Sequence, residues 1–121
     1  MSHGEVRIYK FLKKYNIDFI FQHSFPDCKN VRILKFDFYL PNQNLCIEFQ
    51  GKQHYYPYDF QSYSYTTDEA LKKYERTIKN DNIKRKYCKD NNIELLEIPY
   101  TQIDGIEDLL IKVLKLETTV A

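Results

Sequence analysis

Between Cys46 and Phe60 the chain reads CIEFQGKQHYYPYDF, which places Glu48, Gln50, Gln53 and His54 within seven positions around a single glycine, Gly51. Asp37 stands in a second apolar run, KFDFYLP, from Lys35 to Pro41. Carboxylates are rarely buried unless they are paired or bound to a metal. Two of them in half-apolar surroundings repel each other, and a divalent cation removes that penalty. Hard oxygen donors of this kind suit Mg²⁺, or Mn²⁺ in its place. Removing either carboxylate is then expected to relieve repulsion in the metal-free chain. Gln50 lies two residues past Glu48, hence on the same face of a strand. Its amide can orient a metal-bound water, or it can simply be a polar residue ending a strand. His54 can act as general base, phosphate donor or metal ligand, and Gly51 lets the backbone approach a phosphate closely.

These groups need elements to carry them. Apolar residues at Val6, Ile8, Tyr9, Phe11, Leu12 and Tyr15 predict a helix over 4–15, with Asn16 as its stop. A short β-rich run covers 17–21. The segment 24–30, with Pro26, Asp27 and Asn30, reads as a loop. Residues 31–40 and 45–49 read as two strands joined by the turn PNQN, a hairpin that sets Asp37 and Glu48 on neighbouring strands. The segment 51–67 shows no regular period. A long helix is expected over 68–90, a strand over 93–98 stopped by Pro99, and a helix over 103–116. The order is helix, three strands, helix, strand, helix. The strand after the long helix joins by a crossover, so it should run parallel to its neighbour. An α/β (α+β) sandwich on a mixed central sheet follows, as a single domain over 1–121.

Charge is segregated. The net charge is +1, yet Lys72, Lys73, Arg76, Lys79, Lys84, Arg85, Lys86 and Lys89 face only Glu75 and Asp81 in the same stretch. Such a basic helix either meets an anionic partner or is a solvated lysine-rich face. Thr77, Asp81, Lys84 and Cys88 share one side of that helix. Lys84 can therefore point at the acidic strands, or pair with Asp81 on the helix surface. Tyr55, Tyr56, Tyr58, Phe60, Tyr63 and Tyr65 form an aromatic segment. It can stack on bases, make a satellite core, or form a dimer contact.

Composition removes some classes. No apolar run is long enough to cross a bilayer and no signal-peptide pattern opens the chain. Cys28, Cys46 and Cys88 are widely spaced and odd in number, which argues against a disulfide framework. Reduced thiols point to an intracellular protein, in a cytoplasm or inside a host cell were the source a phage or virus. The spacing gives little support to a zinc site built from these cysteines and the histidines.

Gly4-Glu5 on the first helix, FDFYLP, IEFQGKQHY and DNIKRKYCKDNNIELLEIPY together resemble the PD-(D/E)XK nuclease superfamily. The resemblance is to its small phage-type and homing-endonuclease-like branch, in the style of very-short-patch repair enzymes. It covers the chain from Gly4 to about Tyr100. It implies a restriction-endonuclease-like core and a Mg²⁺- or Mn²⁺-dependent DNA endonuclease. It also implies Glu5, Asp37 and Glu48 as metal ligands, with Gln50, His54 and Lys84 completing the catalytic set. Gln50 stands where the signature has lysine; either the site is inactive or another residue, such as Lys84, supplies the positive charge. Lys52, Gln53, Tyr55, Lys72, Lys73, Arg76, Lys79 and Arg85 are the expected nucleic-acid contacts. DNA is the expected partner, with a homodimer or a fused targeting domain possible. The alternative is a nuclease fold without activity that binds nucleic acid.

Overall fold

The computed structural model describes residues 1–57 and 67–116. Helix α1 (His3–Lys14) is followed by strands β1 (Ile20–Lys29), β2 (Ile33–Leu40) and β3 (Leu45–Gln50). A short 3₁₀ turn (Lys52–His54) leads towards helix α2 (Asp68–Asp90) and strand β4 (Glu94–Pro99). A second 3₁₀ segment (Tyr100–Gly105) precedes helix α3 (Ile106–Val113). The sheet order is β1-β2-β3-β4. The first two pairings are antiparallel and β3–β4 is parallel. The mixed sheet and the parallel crossover strand therefore match the sequence reading.

Local chemistry explains where the elements begin and end. Ser2 caps α1 by accepting from the Glu5 N–H at 3.2 Å, and Thr67 caps α2 by accepting from the Ala70 N–H at 3.1 Å. Each main helix stops on a left-handed residue: Asn16 (φ 54°), Asn92 (φ 56°) and Lys115 (φ 53°). In each case the next N–H closes back onto the last helical turn, with Ile17 N to Leu12 O at 2.9 Å as the first example. Asparagine tolerates this backbone better than most residues. Asn44, at the end of the β2–β3 turn, uses the same conformation (φ 51°).

The sheet separates two cores. One holds α1 and α3 through Ile8, Phe11, Leu12, Ile106 and Leu110 against Phe38, Leu40, Ile47, Phe49 and Ile98. Burying a side chain of this size stabilises by roughly 1.5–3 kcal/mol. The other lies under α2 and is made of Cys28, Phe36, Cys46 and Cys88, all free thiols in the case of the cysteines.

Two expectations need correction. The segment expected as a loop over 24–30 belongs mostly to β1, which runs to Lys29. Because β1 lies at a sheet edge, Pro26 removes no ladder bond that a central strand would need. The register slips between Ser24 and Lys29 to absorb the extra residues. The last helix is shorter than the expected 103–116, since Gly105 interrupts it and the chain before Ile106 winds as 3₁₀. In the expected irregular stretch, only Gly51 to Pro57 and Thr67 are described; Tyr58, Phe60, Tyr63 and Tyr65 lie outside the described residues.

Gly4 positions the site from the opposite side of the sheet. A Cβ there would fall inside the Phe49 ring, and Phe49 sits between Glu48 and Gln50. Gly4→Ala is expected to destabilise the protein by about 1–3 kcal/mol through overpacking. Phe49→Leu should recover part of that loss in the double variant. Thermal melts of the three variants check this; additive losses would show that the two residues do not compete for one space.

Candidate active site

Asp37 and Glu48 meet where the β2–β3 ladder ends. The paired residues are Leu40–Leu45, Tyr39–Cys46 and Phe38–Ile47, and one further step sets Asp37 across from Glu48. There the strands are joined through side chains. The Asp37 N–H donates to Glu48 Oε2 at 3.2 Å, and the Phe49 N–H donates to Asp37 Oδ2 at 2.7 Å. Each carboxylate thus satisfies a backbone donor of the opposite strand. The other side of Asp37 is irregular as well. Gln22, between the pairs Phe21–Phe38 and His23–Phe36, has φ 53°. The in–out alternation of β2 breaks at this point, with Phe36 in the α2 core and Phe38 in the α1–α3 core.

Burial of Asp37 and the neighbouring Glu48 charge push its carboxyl up from 3.8 to about 8, against the lowering effect of the Phe49 N–H. A hydrogen bond shared with Glu48 and the charge of Glu5 add to the rise. Glu48 is better compensated. It is buried, and Lys84 Nζ pairs with its Oε1. The same ammonium lies 5.2 Å from the centre of the Phe36 ring. The two acids are therefore not equivalent: removing Glu48 would relieve Asp37 but leave Lys84 without its partner. Asp37 carries the penalty, while Glu48 holds Lys84 and the Asp37 amide.

Helix α2 supplies the rest. Asp81 is buried and its Oδ2 lies 2.8 Å from His54 Nδ1. Asp81 and Lys84 do not form the surface pair that their spacing allows; the first takes His54 and the second takes Glu48. A carboxylate on Nδ1 fixes the imidazole ring and its tautomer, leaving Nε2 as the ring nitrogen able to accept a proton. Sequence reasoning gave Asp81 no role in the site. Its place on the Lys84–Cys88 face of α2 was the signal available.

Gln50 is buried and its Oε1 accepts from Tyr55 Oη at 2.8 Å. Lys52 Nζ stands 5.8 Å from the Tyr100 ring centre, and the Tyr55 and Tyr100 rings meet edge-on at 5.7 Å. Gln53 is exposed beside Gly51, whose missing side chain leaves room for the Gln53 amide. Lys72, Lys73, Arg76 and Lys79 are exposed along α2. Arg85 is instead tied to Glu97 at 2.8 Å and to Asn82 at 3.0 Å.

Glu5 sits in the first turn of α1 and accepts from Ser2 Oγ at 3.2 Å. Among the described residues no three His, Cys, Asp or Glu side chains are gathered tightly enough to hold a metal ion. Asp37 and Glu48 are brought together; Glu5 reaches them through its charge. The donor chemistry fits a hard divalent cation all the same. Two carboxylates share a half-buried place, where burial and the Glu48 charge raise the Asp37 carboxyl, a penalty that a cation would offset.

No family model and no solved structure matches the chain. Curated viral proteins do. Uncharacterized protein 307L of Invertebrate iridescent virus 6 is 37% identical over 71 residues, which is 59% of this chain and 33% of that protein. Uncharacterized protein 033L of Invertebrate iridescent virus 3 is 31% identical over 108 residues, which is 83% of this chain and 50% of that protein. The chain thus spans between a third and a half of the length of these relatives. Among the described residues no helix is long and apolar enough to cross a membrane.

The raised Asp37 carboxyl has a consequence for stability. Between the ordinary value of 3.8 and about 8, the folded chain keeps a proton that the unfolded chain has released. The contribution of Asp37 to stability is therefore full at low pH and is lost as pH rises through that window. In chelator, Asp37→Asn is expected to flatten this part of the stability–pH curve. Denaturant melts from pH 4 to pH 8 test it; parallel curves for parent and variant would show that folding does not raise the Asp37 carboxyl.

Proposed function

We propose that this chain is a metal-dependent DNA endonuclease. The observation that carries the reading is the Asp37–Glu48 pair, two carboxylates set face to face with Lys84 on one of them. The motif resemblance to PD-(D/E)XK nucleases agrees with it, and Lys84 takes the place of the lysine absent at Gln50.

Asp37 and Glu48, with Glu5 nearby in charge, would hold Mg²⁺ or Mn²⁺. A divalent cation there supplies Lewis-acid stabilisation of charge on the phosphoryl oxygens. To hold the cation, Asp37 would have to be in its carboxylate form. His54 Nε2 takes a proton from the attacking water while Asp81 holds the ring. The water oxygen bonds to phosphorus as the bond to the leaving deoxyribose oxygen breaks, and that oxygen takes a proton from solvent as it departs. Lys84, already paired with Glu48, offsets negative charge on the phosphate. Gln50, fixed by Tyr55, orients the water or the phosphate.

A second reading has its own support. Both Glu48 oxygens already have protein donors. A chain of this kind can bind nucleic acid without cutting it.

Cleavage of supercoiled plasmid with Mg²⁺, with Mn²⁺ and with chelator decides between them. The parent is expected to cut only with metal. Asp37→Asn and His54→Ala should each lower the rate by roughly 10²-fold or more, and Lys84→Ala should lower it more than Lys79→Ala. DNA binding with no metal-dependent cutting would establish the second reading. Cutting that survives Asp37→Asn would overturn the acidic site itself.

A further inference from the structure

The turn between β1 and β2 leans on α2 away from the acidic pair. The Asn30 N–H donates to the Arg32 carbonyl at 3.1 Å and closes the turn. Asn30 Nδ2 donates to Asn80 Oδ1 at 3.0 Å and fastens it to the helix. Between them lies a cleft of about 510 Å³ lined by Asn30, Val31, Arg32, Leu34, Arg76 and Asn80. Two guanidiniums and two amides line it, and no carboxylate does. Neither Arg32 nor Arg76 has an acidic partner among the described residues. This sets them apart from Arg7 and Arg85, which are both paired with acids. Like charges facing one cleft are unfavourable until an anion joins them, and planar guanidiniums suit phosphate oxygens.

Position along the helix links the cleft to the acidic pair. Arg76, Asn80 and Lys84 follow one another at i, i+4 and i+8, so they form one row on α2. Lys84 reaches Glu48 at one end of that row. Arg76 lines the cleft at the other end, roughly 12 Å away at 1.5 Å per residue.

We propose that the Arg32–Arg76 cleft is a second phosphate site. It holds the backbone of the nucleic-acid strand a short distance along from the phosphate presented to Asp37 and Glu48. The assignment rests on the nucleic-acid reading above. The cleft fixes the register of the strand along α2; it reads no base, because phosphate contacts carry no direct sequence information.

The test measures binding of a short DNA duplex to the full chain in chelator, by anisotropy, across a range of salt. Arg32→Ala and Arg76→Ala are compared with Lys112→Ala, an exposed lysine on α3. Each arginine variant should flatten the log K against log salt slope by about 0.9. The loss of affinity between 50 and 200 mM salt then shrinks roughly threefold per arginine. Lys112→Ala should leave the slope at the parent value, and all three variants should melt with the parent. Parent-like slopes for both arginine variants would overturn the cleft and leave the nuclease reading intact. A parent that binds no duplex even at low salt would overturn both. A cleft serving only free phosphate would be seen as a phosphate-dependent melt, lost in the arginine variants, with the DNA slope unchanged; that result also overturns the proposal.

Discussion

The exchange of donors between β2 and β3 is the interaction on which the rest of the site depends. At the end of the antiparallel ladder, backbone no longer meets backbone. Asp37 and Glu48 take over, each accepting an N–H from the facing strand. Buried amides must find partners, and here the partners are charged groups. The carboxylates are thus placed by the same bonds that hold the strands together. Strand geometry fixes their separation, so no separate support is needed to keep them facing. The cost falls on Asp37, whose carboxyl is driven far from its ordinary range. The half-buried Lys84 ammonium offsets only the Glu48 half.

Helix α2 is attached to the sheet in an unusual way for its length. Of its 23 residues only Asp81 and Cys88 are buried. An amphipathic helix usually docks through an apolar stripe. Here Ile83, Tyr87 and Cys88 give a narrow apolar contact, and polar ties add to it: Asn80 to Asn30, Asp81 to His54, Lys84 to Glu48 and Arg85 to Glu97. They recur almost at every turn through the middle of the helix. Three of the four run to β-strands or to the segment that leaves β3, so the helix and the acidic pair form one polar network. Charge-assisted hydrogen bonds of this kind are directional.

Much of this was legible in the residue pattern. The bounds of α2 follow from Thr67-Asp68 at one end and Asn91-Asn92 at the other, where cap chemistry is strong. The cross-strand meeting of Asp37 and Glu48 follows from the short PNQN turn, because turn length sets register. Helical period put Lys84 on the face that could meet the acids but left a surface pair with Asp81 equally open; the structure gives Lys84 to Glu48. Other features were not legible. The pairing of His54 with Asp81 joins residues 27 positions apart, and no local period reaches that far. The extent of β1 was hidden by Pro26, whose usual meaning as a strand breaker lapses at a sheet edge. The break at Asp37, where Gln22 on β1 turns left-handed and the β2–β3 ladder ends, is a property of three strands together.

The irregular outer half of β1 bears on how copies of this protein behave when crowded. A sheet ends in unpaired backbone groups, and a flat free edge invites another strand to dock. On β1, Pro26 lacks a donor at all and the slip between Ser24 and Lys29 bends the line that an incoming strand would have to follow. On the opposite side β4 is only six residues long and ends in Pro99. Both borders of the sheet are therefore poor templates for cross-β growth. The chain reaches this protection through proline and bulge, with no covering helix on either border required.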